Sequence, residues 1–257
     1  MKHIVFYSGG IGSWMTAKRV IEKEGKENVI LLFTDTLIED EDLYRFIDET
    51  VKEMDVEYVY IADGRDPWEV FKDVRYLGNS RLAQCSHLLK QKPADKWLKE
   101  NFEPDECVLY LGIDWSESHR RRSPIKNWAP YSVEFPMCEK PYLNKWEMIK
   151  ELNDLGIATP RLYDLGFNHN NCGGFCVRGG QGHFANLLKQ KPDLYEYHEG
   201  KEQEMREFLE KDVSILRRTK DGYQLNLTLR QLREEIEVSP EQIDMFDIGG
   251  CGCFVDS

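Results

Sequence analysis

The stretch Lys2-His3-Ile4-Val5-Phe6-Tyr7-Ser8-Gly9-Gly10-Ile11-Gly12-Ser13-Trp14 sets an apolar run directly before a glycine-rich turn. Lys2 to Tyr7 reads as a short β-strand, and from Trp14 the apolar positions Trp14, Ala17, Val20 and Ile21 fall at helical spacing. The glycines Gly9, Gly10 and Gly12 between them let backbone approach an anion closely, and the amides that open a helix attract negative charge. Ser8 and Ser13 add hydroxyl donors. The turn is therefore a candidate phosphate cradle, against the plainer reading of a tight strand-to-helix turn that is rich in glycine. It is not a Walker loop, because the Gly-Lys-Ser/Thr that such a loop requires is missing.

Outward from this turn, strand and helix alternate. Val29 to Phe33 is a continuous apolar run, as in a strand buried on both faces. Leu43, Phe46, Ile47, Val51 and Met54 form a helical stripe, Val56 to Ile61 a third strand, Cys107 to Leu111 a fourth and Tyr131 to Phe135 a candidate fifth. The alternation predicts an α/β fold, a parallel twisted sheet with helices on both faces. Ligands of such sheets bind at the carboxyl ends of the strands, so chemistry is expected just after Tyr7, Phe33, Ile61 and Leu111. After about Pro141 the pattern changes to helices over Lys145–Leu155, Gln181–Gln190 and Asp193–Leu209, with a short strand or hairpin arm over Gly222–Leu229. Residues 1–140 are thus expected to form the α/β domain, and 141–257 a mainly helical region that carries paired cysteines.

The 257 residues include 34 Lys+Arg and 46 Asp+Glu, a formal charge of −12. That balance does not favour nucleic acid as a partner, although His119-Arg120-Arg121-Arg122 with Lys126 forms a local basic cluster. No apolar run approaches the roughly 18 residues of a membrane span, and the N-terminus lacks the features of a signal peptide. A cytoplasmic protein is expected. Seven cysteines in such a chain do not read as a disulfide framework. Cys172 with Cys176 and Cys251 with Cys253 lie as close pairs among glycines, which points to a metal or redox centre.

Ser-Gly-Gly-x-x-Ser after the first strand resembles the PP-loop of the adenine nucleotide alpha-hydrolase superfamily. Three further segments resemble its phosphoadenosine phosphosulfate reductase-like branch. Phe33-Thr34-Asp35-Thr36 is similar to the family's Asp-Thr-Gly segment. Cys85-Ser86-His87-Leu88-Leu89-Lys90-Gln91-Lys92-Pro93 is similar to its Cys-x-x-x-[Arg/Leu]-Lys-x-x-Pro segment. Gly112-Ile113-Asp114-Trp115-Ser116-Glu117-Ser118-His119-Arg120 is similar to its Gly-Ile-Arg-x-x-Glu-Ser-x-Arg segment. There are two departures: Ile11-Gly12 stands where ATP-cleaving PP-loops often carry Lys-Asp, and Asp114 stands where the family has arginine.

The resemblance implies a HUP/PP-loop fold and a site for ATP or another adenine nucleotide on Ser8, Gly9, Gly10, Gly12, Ser13, Asp35, Lys90, Gly112 and Arg120. Asp35 is a candidate for Mg²⁺ or a ribose hydroxyl, or else a plain helix N-terminal acid. Lys90 and Arg120 offer charge to phosphate or sulfate oxygens, where Arg can bind bidentately, with solvated surface charge as the plain alternative. Glu117 is a candidate to orient Arg120 or a ligand hydroxyl, and it is placed with the catalytic group. The family's iron–sulfur branch binds a [4Fe–4S] cluster on an early Cys-Cys and a later Cys-x-x-Cys. Here Cys85 matches the first position and Ser86 the second, and Cys172 and Cys176 have three residues between them. Cys85, Cys172, Cys176 and Cys253 are the expected ligand set, with Cys251 free as nucleophile. The roles of the last two are interchangeable, and a three-cysteine cluster, zinc and unligated thiols are the alternatives.

Three functions follow from this resemblance. ATP-driven adenylation of a substrate followed by sulfur transfer leads. A sulfonucleotide reductase that releases sulfite is the second, and a non-catalytic, metal-stapled nucleotide-binding module the third. Expected partners are the nucleotide and a sulfur donor or reductant protein. A homodimer is a candidate assembly, and no membrane is involved.

Overall fold

The structure, a computed structural model, describes residues 1–79, 81–238, 244, 247 and 249. β1 (Lys2–Phe6), β2 (Val29–Asp35), β3 (Glu57–Ala62), β4 (Cys107–Tyr110) and β5 (Ser132–Glu134) form one parallel sheet in the order β3-β2-β1-β4-β5. In β1, Val5 lies opposite Leu31 on one side and Tyr110 on the other. Side chains alternate between faces along a strand. Val5, Leu31 and Phe33 therefore enter one hydrophobic layer, and Ile4, Ile30 and Leu32 the other. Every residue of β2 is buried, which accounts for its unbroken apolar run.

Helices cover both faces, as the alternation requires. α1 (Ile11–Glu24) and α2 (Glu41–Met54) place Trp14, Ala17, Leu43 and Phe46 in the first layer. α3 (Pro67–Asp73) turns away from the sheet. A π-helical turn, Ser86–Gln91, leads into α4 (Lys92–Asn101), which sets Ala94 and Leu98 in the second layer. α5 (Arg122–Asn127) precedes β5, and α6 (Lys145–Asp154) returns Met148 and Leu152 to the first layer.

The rest of the chain builds a third core. α7 (Arg161–Asp164), α8 (Gln181–Gln190), α9 (Pro192–Leu209), the hairpin of β6 (Leu216–Lys220) with β7 (Tyr223–Leu227) and α10 (Leu229–Val238) complete it. Trp68 and Phe71 of α3 pack there with Phe175, Phe184, Tyr195 and Leu232, so apolar packing crosses residue 140 in both directions. The helical C-terminal segment is as expected, and the arm at Gly222–Leu229 proves to be one strand of a hairpin. No helix among the described residues is long and apolar enough to cross a membrane.

Inside this third core, α9 buries two titratable side chains. His198 stacks on Phe175 at 3.7 Å between ring centres and accepts from Trp68 Nε1 at 3.1 Å, and burial drops its pKa to about 3. Glu202 accepts from the amides of Ile215 (2.8 Å) and Leu229 (2.6 Å), which ties the hairpin and α10 to α9. Burial nevertheless raises its carboxyl to about 7. A folded pKa above the unfolded value means a contribution that is complete below about pH 4.5 and is lost as pH rises through about 7, on the order of 3 kcal/mol in all. His198 works in the opposite sense as pH falls, so the comparison must isolate Glu202. The urea-unfolding stability of wild type minus that of Glu202→Gln is expected to shrink by about that amount between pH 4.5 and 7.5. A pH-independent difference would refute this role.

Candidate functional site

The strand order places β1 beside β4, so the loops that leave these two strands diverge at the carboxyl edge of the sheet. A cleft of about 450 Å³ opens there. Ser8, Gly10, Gly12 and Ser13 form one wall, and Gly112, Asp114, Glu117 and Arg120 another. Lys145 of α6, Tyr163 of α7 and the segment Asn168–Asn171 close it from the C-terminal half. The two glycine loops touch: a Cβ on Gly112 would come within 3.1 Å of the Gly12 carbonyl, so the chain needs glycine at this crossing.

The loop's polar groups are engaged. The Gly10 amide donates to Ser13 Oγ (3.2 Å), whose hydroxyl donates back to the Gly10 carbonyl (2.8 Å). The Ile11 amide donates to the Tyr163 hydroxyl at 3.1 Å. Gly9 takes φ +72°, and its carbonyl accepts from Asn170 Nδ2 at 2.8 Å. Asn170 is 1% exposed, and its Oδ1 meets no donor among the described residues. In the facing loop, Asp114 caps its own turn through the Ser116 amide (2.8 Å), and Arg120 bridges Glu117 at 2.7 Å.

Asp35 and Lys90 stand outside the cleft lining. The Asp35 carboxylate accepts from the Tyr44 hydroxyl (2.9 and 3.0 Å), the Tyr60 hydroxyl (2.9 Å) and the Leu37 amide (2.8 Å). Burial and that carboxylate raise both phenols. Lys90, 2% exposed, pairs with the buried Glu39 at 3.4 Å. Glu39 also accepts from Thr36 Oγ1 at 2.9 Å and from the Cys172 amide.

Cys172 therefore hangs on Glu39, in a left-handed run of φ +54° at Cys172, +61° at Gly173 and +92° at Gly174. A Cβ on Gly173 would meet the Ile38 carbonyl at 2.6 Å. Burial, aided by Glu39, pushes the Cys172 thiol well up, and the Cys85 and Cys176 thiols are near enough to add to the shift. Cys85 is raised to about 11 by burial, with Lys90 acting against it. At neutral pH the Cys85 and Cys172 thiols are protonated, which is the wrong state for a ligand unless a cation draws the proton off. Among the described residues no three His, Cys, Asp or Glu side chains gather closely enough to hold a metal ion. The described thiols alone therefore do not fit a metal centre, and the expected Cys251 and Cys253 lie outside the described residues. Cys107 is buried in β4.

A larger hollow of about 730 Å³ beside α1 contains none of the loop residues. Its Arg19 is occupied by the carbonyls of Pro136 (2.7 Å), Glu139 (3.1 Å) and Pro141. It offers no comparable chemistry. Sequence reading passes over Glu39, Lys145, Tyr163 and Asn170. The one local signal is the polar run Asn168-His169-Asn170-Asn171 directly before Cys172.

The family model described as the phosphoadenosine phosphosulfate reductase domain matches residues 2–169. An uncharacterised protein of Methanocaldococcus jannaschii is 24% identical over 210 residues, covering 81% of this chain and 42% of that protein. The chain thus spans less than half the length of this relative. Among solved structures, phosphoadenylyl-sulfate reductase from Candida auris in its phosphate complex is similar at a TM-score of 0.45 and 13% identity, over 65% of this chain and 80% of that one. The NH₃-dependent NAD synthetase of Campylobacter jejuni with nitrate is similar at 0.41 and 13%, over 81% and 84%.

The Glu39–Lys90 pair makes a direct prediction. Lys90→Met strands a buried carboxylate and is expected to cost about 3–5 kcal/mol, read as a lowered urea midpoint. Combining it with Glu39→Gln is expected to recover part of that loss. A Lys90→Met protein of unchanged stability would show that the pair holds nothing together.

Proposed function

The chain belongs to the phosphoadenosine phosphosulfate reductase domain family, and from that premise we propose that it is an enzyme that binds an adenine nucleotide between the Ser8–Ser13 and Gly112–Arg120 loops and handles sulfur beside it. The observation that carries this reading is the meeting of two glycine loops at the sheet's switch point, with Arg120 and Lys145 lining the same cleft. Asn170, two residues before Cys172, bonds to the Gly9 carbonyl and so links the cysteine loop to the glycine loop.

In the leading form the nucleotide is ATP. A substrate oxygen attacks the α-phosphorus, the bond to the β-phosphate breaks, and pyrophosphate leaves toward Ser8–Ser13. Sulfide-level sulfur, a hydrosulfide held by a donor protein, then attacks the activated atom as its bond to the AMP oxygen breaks, and AMP leaves with that oxygen. Arg120, oriented by Glu117, faces the phosphates. The family description favours a second form, in which the Cys251 thiolate attacks the sulfur of adenylyl or phosphoadenylyl sulfate and the nucleotide leaves. Thiols of a reductant protein then release sulfite and become a disulfide. The [4Fe–4S] cluster on Cys85, Cys172, Cys176 and Cys253 enters through the resemblance alone, and no step above runs through it.

Calorimetric titration of the full chain with ATP and with adenylyl sulfate tests the reading. Wild type is expected to bind ATP, and Gly12→Val, which puts methyl groups beside the Gly112 carbonyl, to lose at least tenfold in affinity. Sulfite release from adenylyl sulfate, with ATP inert, selects the second form. Nucleotide binding without pyrophosphate or sulfite release makes the protein a binding module. Iron and acid-labile sulfide on protein purified without oxygen test the cluster, whose signature is about four of each per chain. One zinc and no sulfide would remove the cluster from the proposal.

A further inference from the structure

The Ser8–Ser13 loop contains no cationic side chain. The lysine and arginine side chains lining its cleft are Arg120 and Lys145, and Arg120 is already bridged to Glu117. Lys145 pairs with no carboxylate among the described residues. Its ammonium donates to the Asn168 carbonyl at 3.3 Å and lies 3.8 Å from the centre of the Tyr163 ring. The hydroxyl of that same tyrosine accepts from the Ile11 amide at the start of α1. A lysine from α6 and an amide of the glycine loop thus converge on one side chain, although 134 positions separate Lys145 from Ile11.

This is an unusual place for a lysine. The side chain is half-buried, and the loss of water holds its pKa below the ordinary lysine value, with no charge among the described residues to offset it. A tyrosine face returns only part of the hydration an ammonium gives up. An anion would return more, and phosphate oxygens accept strong, charge-assisted hydrogen bonds.

We infer that Lys145 supplies the positive charge that the glycine loop lacks and binds the pyrophosphate end of a nucleoside triphosphate. Arg120 and Lys145 come from different elements, which suits a ligand bearing several phosphates better than one with a single anionic group. The inference rests on the nucleotide reading above and deepens it, because it names the part of the ligand that the C-terminal half holds.

The experiment compares wild type, Lys145→Met and Lys145→Arg by calorimetric titration with ATP, inorganic pyrophosphate and adenosine. Methionine keeps an unbranched apolar stem against Tyr163, so folding is preserved, and an unchanged melting temperature verifies it. Lys145→Met is expected to weaken ATP and pyrophosphate at least tenfold, to leave adenosine unchanged, and Lys145→Arg to restore most of the loss. Wild-type affinity for ATP and pyrophosphate in Lys145→Met overturns the assignment and leaves the nucleotide reading standing. So does an equal loss for adenosine, which would mark Lys145 as a structural residue. A wild type that binds neither ATP nor pyrophosphate overturns the nucleotide reading, and this inference with it.

Discussion

Two adjacent carboxylates in the loop after β2, Glu39 and Asp40, hold the C-terminal half of the described chain against the sheet. Glu39 gathers the Thr36 hydroxyl, the Lys90 ammonium and the Cys172 amide. Asp40 gathers the Asp42 amide, Lys191 (2.6 Å) and Arg161. Both side chains are about 1% exposed. Buried carboxylates are tolerable only when such donors surround them, so the loop, the π-helical turn and the cysteine loop must assemble together. Desolvation works against ionised Asp40, yet its partners outweigh it and keep the carboxyl below its usual range. This tie brings α7 and the segment before Cys172 to the mouth of the glycine loop, and α6 reaches it by packing on α1.

The sheet was legible because a strand buried on both faces has to be apolar throughout. Val29–Phe33 has the composition of such a strand, and β1 and β3 pair with it on either side. α4 and α10 went unread: each buries only two residues, Ala94 with Leu98 and Leu229 with Leu232, so the apolar stripe is short although polar residues mark the opposite face. α3 had a readable signal in Asp66 and Glu69, which form a capping box around Pro67. β6, Leu-Arg-Arg-Thr-Lys, is mostly polar and declares itself only through its partner β7. The third core joins residues 68–89 to residues 162–232, more than 70 positions further along, and local periodicity carries no trace of such pairings.

At the site, Ser8 to Ser13 was legible because its glycines mark backbone freedom in composition, and Gly112 to Arg120, with one glycine, was legible through the family resemblance. Ser8 to Ser13 and Gly112 to Arg120 do line one cleft. Asp35 and Lys90 stand out in sequence through the family segments that contain them, and the protein itself supplies each with partners. An isolated charge in an apolar context predicts a partner. Whether that partner is a ligand or another side chain depends on residues such as Tyr44, Tyr60 and Glu39, whose proximity only the fold creates. Lys145 shows the converse. It looks like an ordinary helix-start lysine, and it becomes conspicuous only because no carboxylate among the described residues reaches it.

The resting state of the loop constrains what can bind. A bare anion cradle would present free amides, whereas here the Ser13 and Tyr163 hydroxyls already accept from the Gly10 and Ile11 amides. A ligand oxygen that takes either amide displaces a hydroxyl rather than water, so that exchange is nearly neutral in hydrogen bonds and adds little affinity of its own. The gain must come from charge, since an anion strengthens each bond it takes and a hydroxyl does not. In a chain of formal charge −12, that selectivity is local, set by the few cations that line the cleft among the described residues. A neutral ligand has no reason to open this loop, and an anionic one does.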